Sequence, residues 1–190
     1  MMNNKGVTLI EMMIALCIMG LVMAGFYNSF LVQHKVYTAQ ETITEMNQAA
    51  RASVTKMLKE LRMAGYKKPG AILNGIPSAN LTSIKVVADL NKDEDLSGID
   101  EQVTYAYNSG EKQITRTANG LTEALCDNVT SFSLSYVLTD GSTISAPSNP
   151  ANIRKITVNF TVESEKPITK TNEHSSINLT FDITPRNMGL

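Results

Sequence analysis

The 190-residue chain predicts an α+β fold, one long N-terminal helix packed against an antiparallel β-sheet. Three observations carry that expectation. Positions 7–64 contain no proline and hold a helical pattern of apolar residues. After Pro69 the composition shifts to turn residues and β-branched runs. Several of those runs alternate apolar and polar side chains, the period of a sheet with one packed and one wet face.

The helix divides in two by composition. Over 7–33 it is apolar all round, and no charged side chain stands between Glu11 and His34. At about 1.5 Å of rise per residue, such a run spans the ~30 Å hydrocarbon core of a bilayer. Glu11, near its start, is a carboxylate where an intramembrane charge is costly, which marks it as a functional candidate. Gly20 and Gly25 permit close packing of helices in a membrane. Over 34–64 the pattern becomes amphipathic. Val36, Ala39, Ile43, Met46, Ala50, Val54, Met57, Leu58 and Leu61 form a stripe, and Glu41, Glu45, Arg51, Lys56, Lys59 and Glu60 are expected mainly on the other faces. Gly65, followed by Tyr66-Lys67-Lys68-Pro69, reads as the stop, with Arg62 in the last turn. The whole helix would be about 87 Å long. Its amphipathic half must lie against the rest of the chain.

Strands are expected at Ser83–Ala88, Gln102–Tyr107, Gln113–Thr117, Val129–Leu138, Arg154–Val162 and Ser176–Thr184. Alternation is clearest at Phe132, Leu134, Tyr136 and Leu138, at Ile156, Val158, Phe160 and Val162, and at Ile177, Leu179, Phe181 and Ile183. Asn108-Ser109-Gly110 and Asp140-Gly141 are candidate hairpin turns. Tyr105 and Tyr107 are read as sheet packing. The globular remainder after the helix suffices for one modest domain.

Lys and Arg total 17 against 18 Asp and Glu, a formal net charge of −1, so nucleic acid is not expected as the main direct partner. Cys17 lies in the membrane run and Cys126 in the soluble part, which puts an intrachain disulfide out of reach. Cys126 is left as a buried small hydrophobe or a link to another chain.

The N-terminus carries a more specific pattern. Gly6 follows a short leader that includes Lys5, and Val7-Thr8-Leu9-Ile10-Glu11 then opens the apolar run. This resembles the class III signal of type IV pilins and of the pseudopilins of type II secretion. The resemblance implies cleavage after Gly6 by a prepilin peptidase and N-methylation of Val7. It also implies that Glu11, fifth in the mature chain, pairs with the N-terminus of an adjacent subunit. The usual first mature residue is Phe, and Val7 departs from that. The expected layout is therefore a leader over 1–6, a transmembrane and filament-core segment over 7–33, and a soluble pilin domain over 34–190.

Leu61-Arg62-Met63-Ala64-Gly65-Tyr66 resembles the L-R-x-A-G-Y signature that ends the long helix of PilW-like minor pilins. Arg186-Asn187 is similar to the Arg-Asn near the C-terminus of that group. The resemblance implies a structural subunit that primes assembly of a type IV pilus or caps its tip. Its implied partners are other minor and major pilins, the peptidase and the inner-membrane assembly platform. It would sit in a bacterial inner membrane as a single-pass protein with its soluble domain on the periplasmic side, then pass into the filament at the cell surface. The J-type pseudopilin of type II secretion shares this layout and stands as the alternative. From another class, a membrane-tethered calcium-binding or adhesive module that never polymerises would need neither the cut nor Glu11.

One cluster outside the helix suggests a cofactor. Asp89, Asn91, Asp93 and Asp95 alternate as at positions 1, 3, 5 and 7 of a calcium loop, with Asp100 at position 12 and Glu101 at 13. A hard cation needs six to eight oxygens, and this spacing can bend several around one point. Position 6 is Glu94 rather than Gly, and the other reading is a solvated acidic turn. Related pseudopilins carry calcium sites, which strengthens the ligand reading.

No enzymatic motif accompanies these features. His34 and His174 lack Cys or carboxylate neighbours at metal-ligand spacing, and neither a G-x-S-x-G elbow nor a phosphate-cradling glycine loop occurs. Asn128, Asn159 and Asn178 begin N-x-T triplets, but these fall in or beside expected strands and are read as chance.

Overall fold

A computed structural model describes residues 6–165, 167 and 173–188. The chain divides into two units, 1–42 and 43–190. Helix α1 (Leu9–Arg62) supplies most of the first and opens the second. It starts and stops within two residues of the expected 7–64.

Within the first unit the helix is apolar and uncovered. Leu9, Ile14, Leu21, Phe26 and Phe30 are all exposed, as are the other large apolar side chains up to Tyr37. Nothing stands within 4 Å of where a Cβ would project from Gly20 or Gly25. Some polar side chains turn onto the helix itself: Asn28 Nδ2 donates to the Ala24 carbonyl at 3.1 Å, and Thr38 Oγ1 to the His34 carbonyl at 3.0 Å. Such i−4 bonds satisfy polar groups within the helix.

In the second unit the helix buries Met46, Ala50, Ser53, Met57 and Leu61, at steps of three and four. The stripe thus begins later than expected, for Val36 is 51% exposed. Ser53 takes the buried place expected of Val54. Its hydroxyl stays satisfied there, its one proton within reach of the Leu125 carbonyl at 2.7 Å and the Ala49 carbonyl at 2.8 Å.

The strands build two antiparallel sheets rather than the expected one. The first, in order β1-β2-β3-β4-β5, holds β1 (Ser78–Ala79), β2 (Ser83–Val87), β3 (Gln102–Asn108), β4 (Gln113–Ala118) and β5 (Leu121–Cys126). The second, in order β7-β6-β8-β9, holds β6 (Val129–Leu138), β7 (Thr143–Ile144), β8 (Ile153–Glu163) and β9 (Ser176–Ile183). The chain changes sheets at Asp127-Asn128, where Asn128 takes φ +57°, a left-handed conformation that asparagine tolerates.

All six expected strands occur. β5 was not anticipated, because most of it is exposed on both faces and shows no alternation. Its hairpin was legible, however. Asn119 and Gly120 both have positive φ and connect the paired Ala118 and Leu121. That is the two-residue turn that Asn-Gly favours.

The alternation buries Val103, Tyr105 and Ile114 on the first sheet. On the second it buries Phe132, Leu134, Tyr136, Ile156, Val158 and Phe160. Polar bonds join the two sheets. Tyr136 Oη donates to the Asn80 carbonyl at 2.7 Å, the Leu134 amide to Leu81 at 2.7 Å, and Tyr107 Oη to Val129 at 2.9 Å. Tyr107 also stacks on Phe132, with ring centroids 6.0 Å apart. Tyr105, fully buried, and Tyr107 pack within the sheets, as expected, although the Tyr105 hydroxyl also reaches α1.

The two short signatures meet where α1 ends. Gly65 takes φ +78° and closes the helix. A Cβ there would lie 2.8 Å from the Asn187 carbonyl oxygen, so both conformation and contact require glycine. The Arg186 amide donates to the Arg62 carbonyl at 3.2 Å, satisfying one of the free carbonyls of the last turn. Arg154 Nη1 holds the Met188 carbonyl. The C-terminal segment therefore serves as the cap of the long helix.

Candidate functional site

The residues expected to serve processing and assembly, Gly6, Val7 and Glu11, lie together at the start of α1. Residues 1–5 of the expected leader lie outside the described residues. Gly6 and Val7 are exposed and precede the first helical turn. Thr8 and Glu11 then form a reciprocal cap. The Thr8 amide and Thr8 Oγ1 each donate to Glu11 Oε2 at 2.8 Å, and the Glu11 amide donates to Thr8 Oγ1 at 3.3 Å. This is a capping box, legible in Thr8-Leu9-Ile10-Glu11 as T-x-x-E and missed at the sequence level. It ties two of the amides that an α-helix start leaves without partners, and places negative charge at the positive end of the helix dipole. Among the described residues, Glu11 Oε1 makes no bond. One carboxylate thus caps its own helix through one oxygen and presents the other.

The acidic loop between β2 and β3 has its own internal order. Asp89 is buried and accepts from the Lys92 amide at 2.6 Å and the Glu94 amide at 3.3 Å. Asn91 Oδ1 accepts from the Asp93 amide, and Asp93 Oδ1 from the Asp95 amide, at 3.0 and 2.8 Å. Glu94 takes φ +69°, making the sharp turn at the place where a calcium loop has its glycine. Two of the six expected ligands point elsewhere. Asp100 Oδ1 accepts from Arg116 Nη2 at 2.5 Å, while Glu101 is buried and accepts from the amides of Leu90, Asn91 and Gly98. Among the described residues, no group of three or more His, Cys, Asp or Glu side chains is arranged to hold a metal ion. The loop folds Asp89, Asn91, Asp93 and Asp95 along one bend and does not bring all six together.

Arg116 is the residue that sequence reasoning missed. It occupies an inward position of β4, its side chain 7% exposed, and it gathers three carboxylates. Its Nη2 lies 3.0 Å from Glu60 on α1 and 2.5 Å from Asp100, and its Nη1 lies 3.3 Å from Glu123 on β5. Tyr105 Oη donates to Glu60 at 2.6 Å, and Lys56 Nζ pairs with Glu123 at 2.7 Å. Lys56 and Glu60 therefore face the sheet, against the expectation that both were on the outer faces.

Burial alone would lower the Arg116 pKa, but the Glu60 and Asp100 carboxylates outweigh it and keep the guanidinium charged above its ordinary range. Burial first, then Glu60, pushes the Tyr105 hydroxyl well above the usual tyrosine range. An open cleft of about 600 Å³ beside this network is lined by Glu60, Asp100 and Glu101 among others. Those carboxylates are already held by Arg116, Tyr105 or the loop amides, so the cleft offers no free acid–base pair.

Cys17 is exposed on α1 and Cys126 is buried, its thiol pKa pushed up by burial. His34 tilts against Phe30, and His174 Nδ1 lies 2.6 Å from the Ser164 carbonyl. Asn159 and Asn178 sit within β8 and β9, and Asn128 at the sheet-switching turn.

The site at the start of α1 is that of a membrane-anchored prepilin-type N-terminus. Among the described residues, α1 is the one helix long and apolar enough to cross a membrane. A family model described as the prokaryotic N-terminal methylation motif matches residues 1–27. The N-terminus is thus a type IV pilin-like prepilin signal, a kind found on structural subunits, and the match supports a pilin- or pseudopilin-like protein. No curated protein matches the chain.

The Arg116 network generates one prediction. Arg116→Met leaves the partly buried Glu60 carboxylate without its cation, a loss of up to about 3 kcal/mol, the low end for a buried pair. Adding Glu60→Gln removes the orphaned charge while keeping an acceptor for Tyr105, and should restore most of the stability. Urea unfolding of both variants in detergent checks this. Equal losses in the single and double variants would show that the pair does not couple helix to sheet.

Proposed function

We propose that this chain is a minor pilin of the PilW-like type, a structural subunit that helps prime a type IV pilus or cap its tip. The observation that carries the reading is the coincidence of the methylation motif with a capped helix whose first-unit apolar surface is uncovered. That surface needs lipid before assembly and neighbouring helices afterwards, both of which a pilin provides. Leader removal after Gly6 would free the Val7 amine. In this reading Glu11 Oε1 receives the amine of an adjacent subunit, so charge pairing inside the apolar bundle sets the register. The meeting of Gly65 with Asn187 gives the two PilW-like signatures a shared structural purpose, which favours that subgroup over the J-type pseudopilin.

Glu11→Gln tests the role of charge separately from that of the cap, since Gln at this place of a capping box can still bond back to the Thr8 amide. The variant should insert and be cleaved normally, for it also lacks the insertion cost of a carboxylate, of order 2.5–3.5 kcal/mol at midmembrane and less near the edge. Its crosslinking to other pilins should fall roughly tenfold or more, as expected for the loss of ~1.4 kcal/mol or more of pairing energy. Unchanged crosslinking and filament number would remove the register role.

The acidic loop adds a calcium site to this proposal, with Asp89, Asn91, Asp93 and Asp95 as its donors and Glu101 left to the loop amides that hold it. The left-handed turn at Glu94 supports it, and Asp100 is left to Arg116. When bound, calcium would relieve repulsion among these carboxylates. Thermal unfolding of the full chain in detergent should shift upward by a few degrees in millimolar calcium, as binding to the folded state alone requires, and much less in magnesium. Asp93→Ala should remove the shift. No shift in the wild type would leave the segment as a solvated turn.

A further inference from the structure

Each sheet has two edges, and three of the four are blunted. β1 and β7 are two residues long. β5 slips register against β4 between Ile114 and Thr115, and its Glu123 is held by Lys56 and Arg116. β9 is different. It pairs with β8 along its whole length without a bulge, from Ile156↔Ile183 to Glu163↔Ser176. It contains no proline and no lysine, the usual defences of an open edge. Its single charge, Asp182, is taken up by β8, with Lys155 Nζ at 3.0 Å and Thr157 Oγ1 at 2.6 Å. Among the described residues, no strand lies on its outer side. Ile177, Leu179 and Phe181 remain half-buried on one face, so an added strand would cover them further.

The sequence of β9 is complementary to itself. We propose that its outer edge pairs antiparallel with β9 of a second copy of this chain, with the two-fold axis at Thr180. Directly opposed residues share a face, so only registers pairing odd positions with odd keep the apolar rows together. Centred on Thr180, Ile177 faces Ile183 and Leu179 faces Phe181 of the second copy. All four apolar residues of the strand then enter pairs. On the other face Thr180 meets Thr180, and Asn178 meets Asp182, an amide donor against the only carboxylate. A register centred on Leu179 would leave Ile183 outside the apolar row. The pairing does not depend on processing at Gly6, and so stands apart from the pilin reading.

Disulfide trapping of the full-length protein in its membrane tests this, in a Cys17→Ser background with Cys126 left buried. Opposed residues in an antiparallel pair have Cα atoms about 4.5–5.5 Å apart, within the range a disulfide spans. Thr180→Cys, at an exposed position, should form a covalent dimer of the chain under mild oxidation. Asn178→Cys and Asp182→Cys should each remain monomeric alone and join when co-expressed. Leu179→Lys in the Thr180→Cys background should abolish the dimer. A Thr180→Cys protein that stays monomeric would overturn the proposal. So would equal crosslinking at 178, 180 and 182, which marks random collision, or a Thr180→Cys adduct only to a different protein.

Discussion

The apolar surface on the first unit of α1 governs the rest of the account. Leu9, Ile14, Leu21, Phe26 and Phe30 project from a helix that carries no charged side chain between Glu11 and His34, and all are exposed. Covering a large apolar side chain is worth about 1.5–3 kcal/mol, so a surface of this extent cannot stand in water. Lipid or a bundle of similar helices must cover it. Glu11 is the exception within this surface, and the capping box explains how the chain tolerates it. Two donors from Thr8 hold one oxygen, and the dipole of the helix favours the charge.

The second unit solves the opposite problem. Here the chain supplies the cover itself, with Met46, Ala50, Met57 and Leu61 turned into the core. Hydrophobic contact alone would leave the helix free to slide or rotate. Glu60, Arg116 and Tyr105 remove that freedom, since only one placement of the helix gives the buried guanidinium its carboxylate and the phenol its acceptor. Buried ion pairs often add little net stability compared with apolar residues, and register is their best-attested contribution. The Arg186 amide on the Arg62 carbonyl fixes the helix end in the same way.

Much of this was written in the sequence where side-chain period and burial agree. The six anticipated strands, the Gly65 stop and the helix bounds followed from alternation, left-handed backbone and the absence of proline. Legibility failed where polar residues do the packing. Lys56 and Glu60 look like solvated helix residues until β5 places Glu123 opposite the first and β4 places Arg116 opposite the second, and no local pattern announces partners so distant in sequence. β5 lacks alternation because it is exposed on both faces, although Asn119-Gly120 marked its hairpin. Two sheets rather than one also escaped, because the switch rests on a single turn at Asn128. In the acidic loop, Asp89, Asn91, Asp93 and Asp95 alternate as the spacing expected of ligands, but they bond to the loop's own amides. The spacing did not foresee that Arg116 would claim Asp100.

We propose that the pilin-like signal at the N-terminus is processed rather than kept as a plain anchor. Mass spectrometry of the N-terminal peptide, on protein extracted from membranes of cells with an active prepilin peptidase, tests it most directly. The expected chain begins at Val7 and carries a single methyl group on its amine. A terminus at Met1 or Met2, still joined to Gly6, would contradict it.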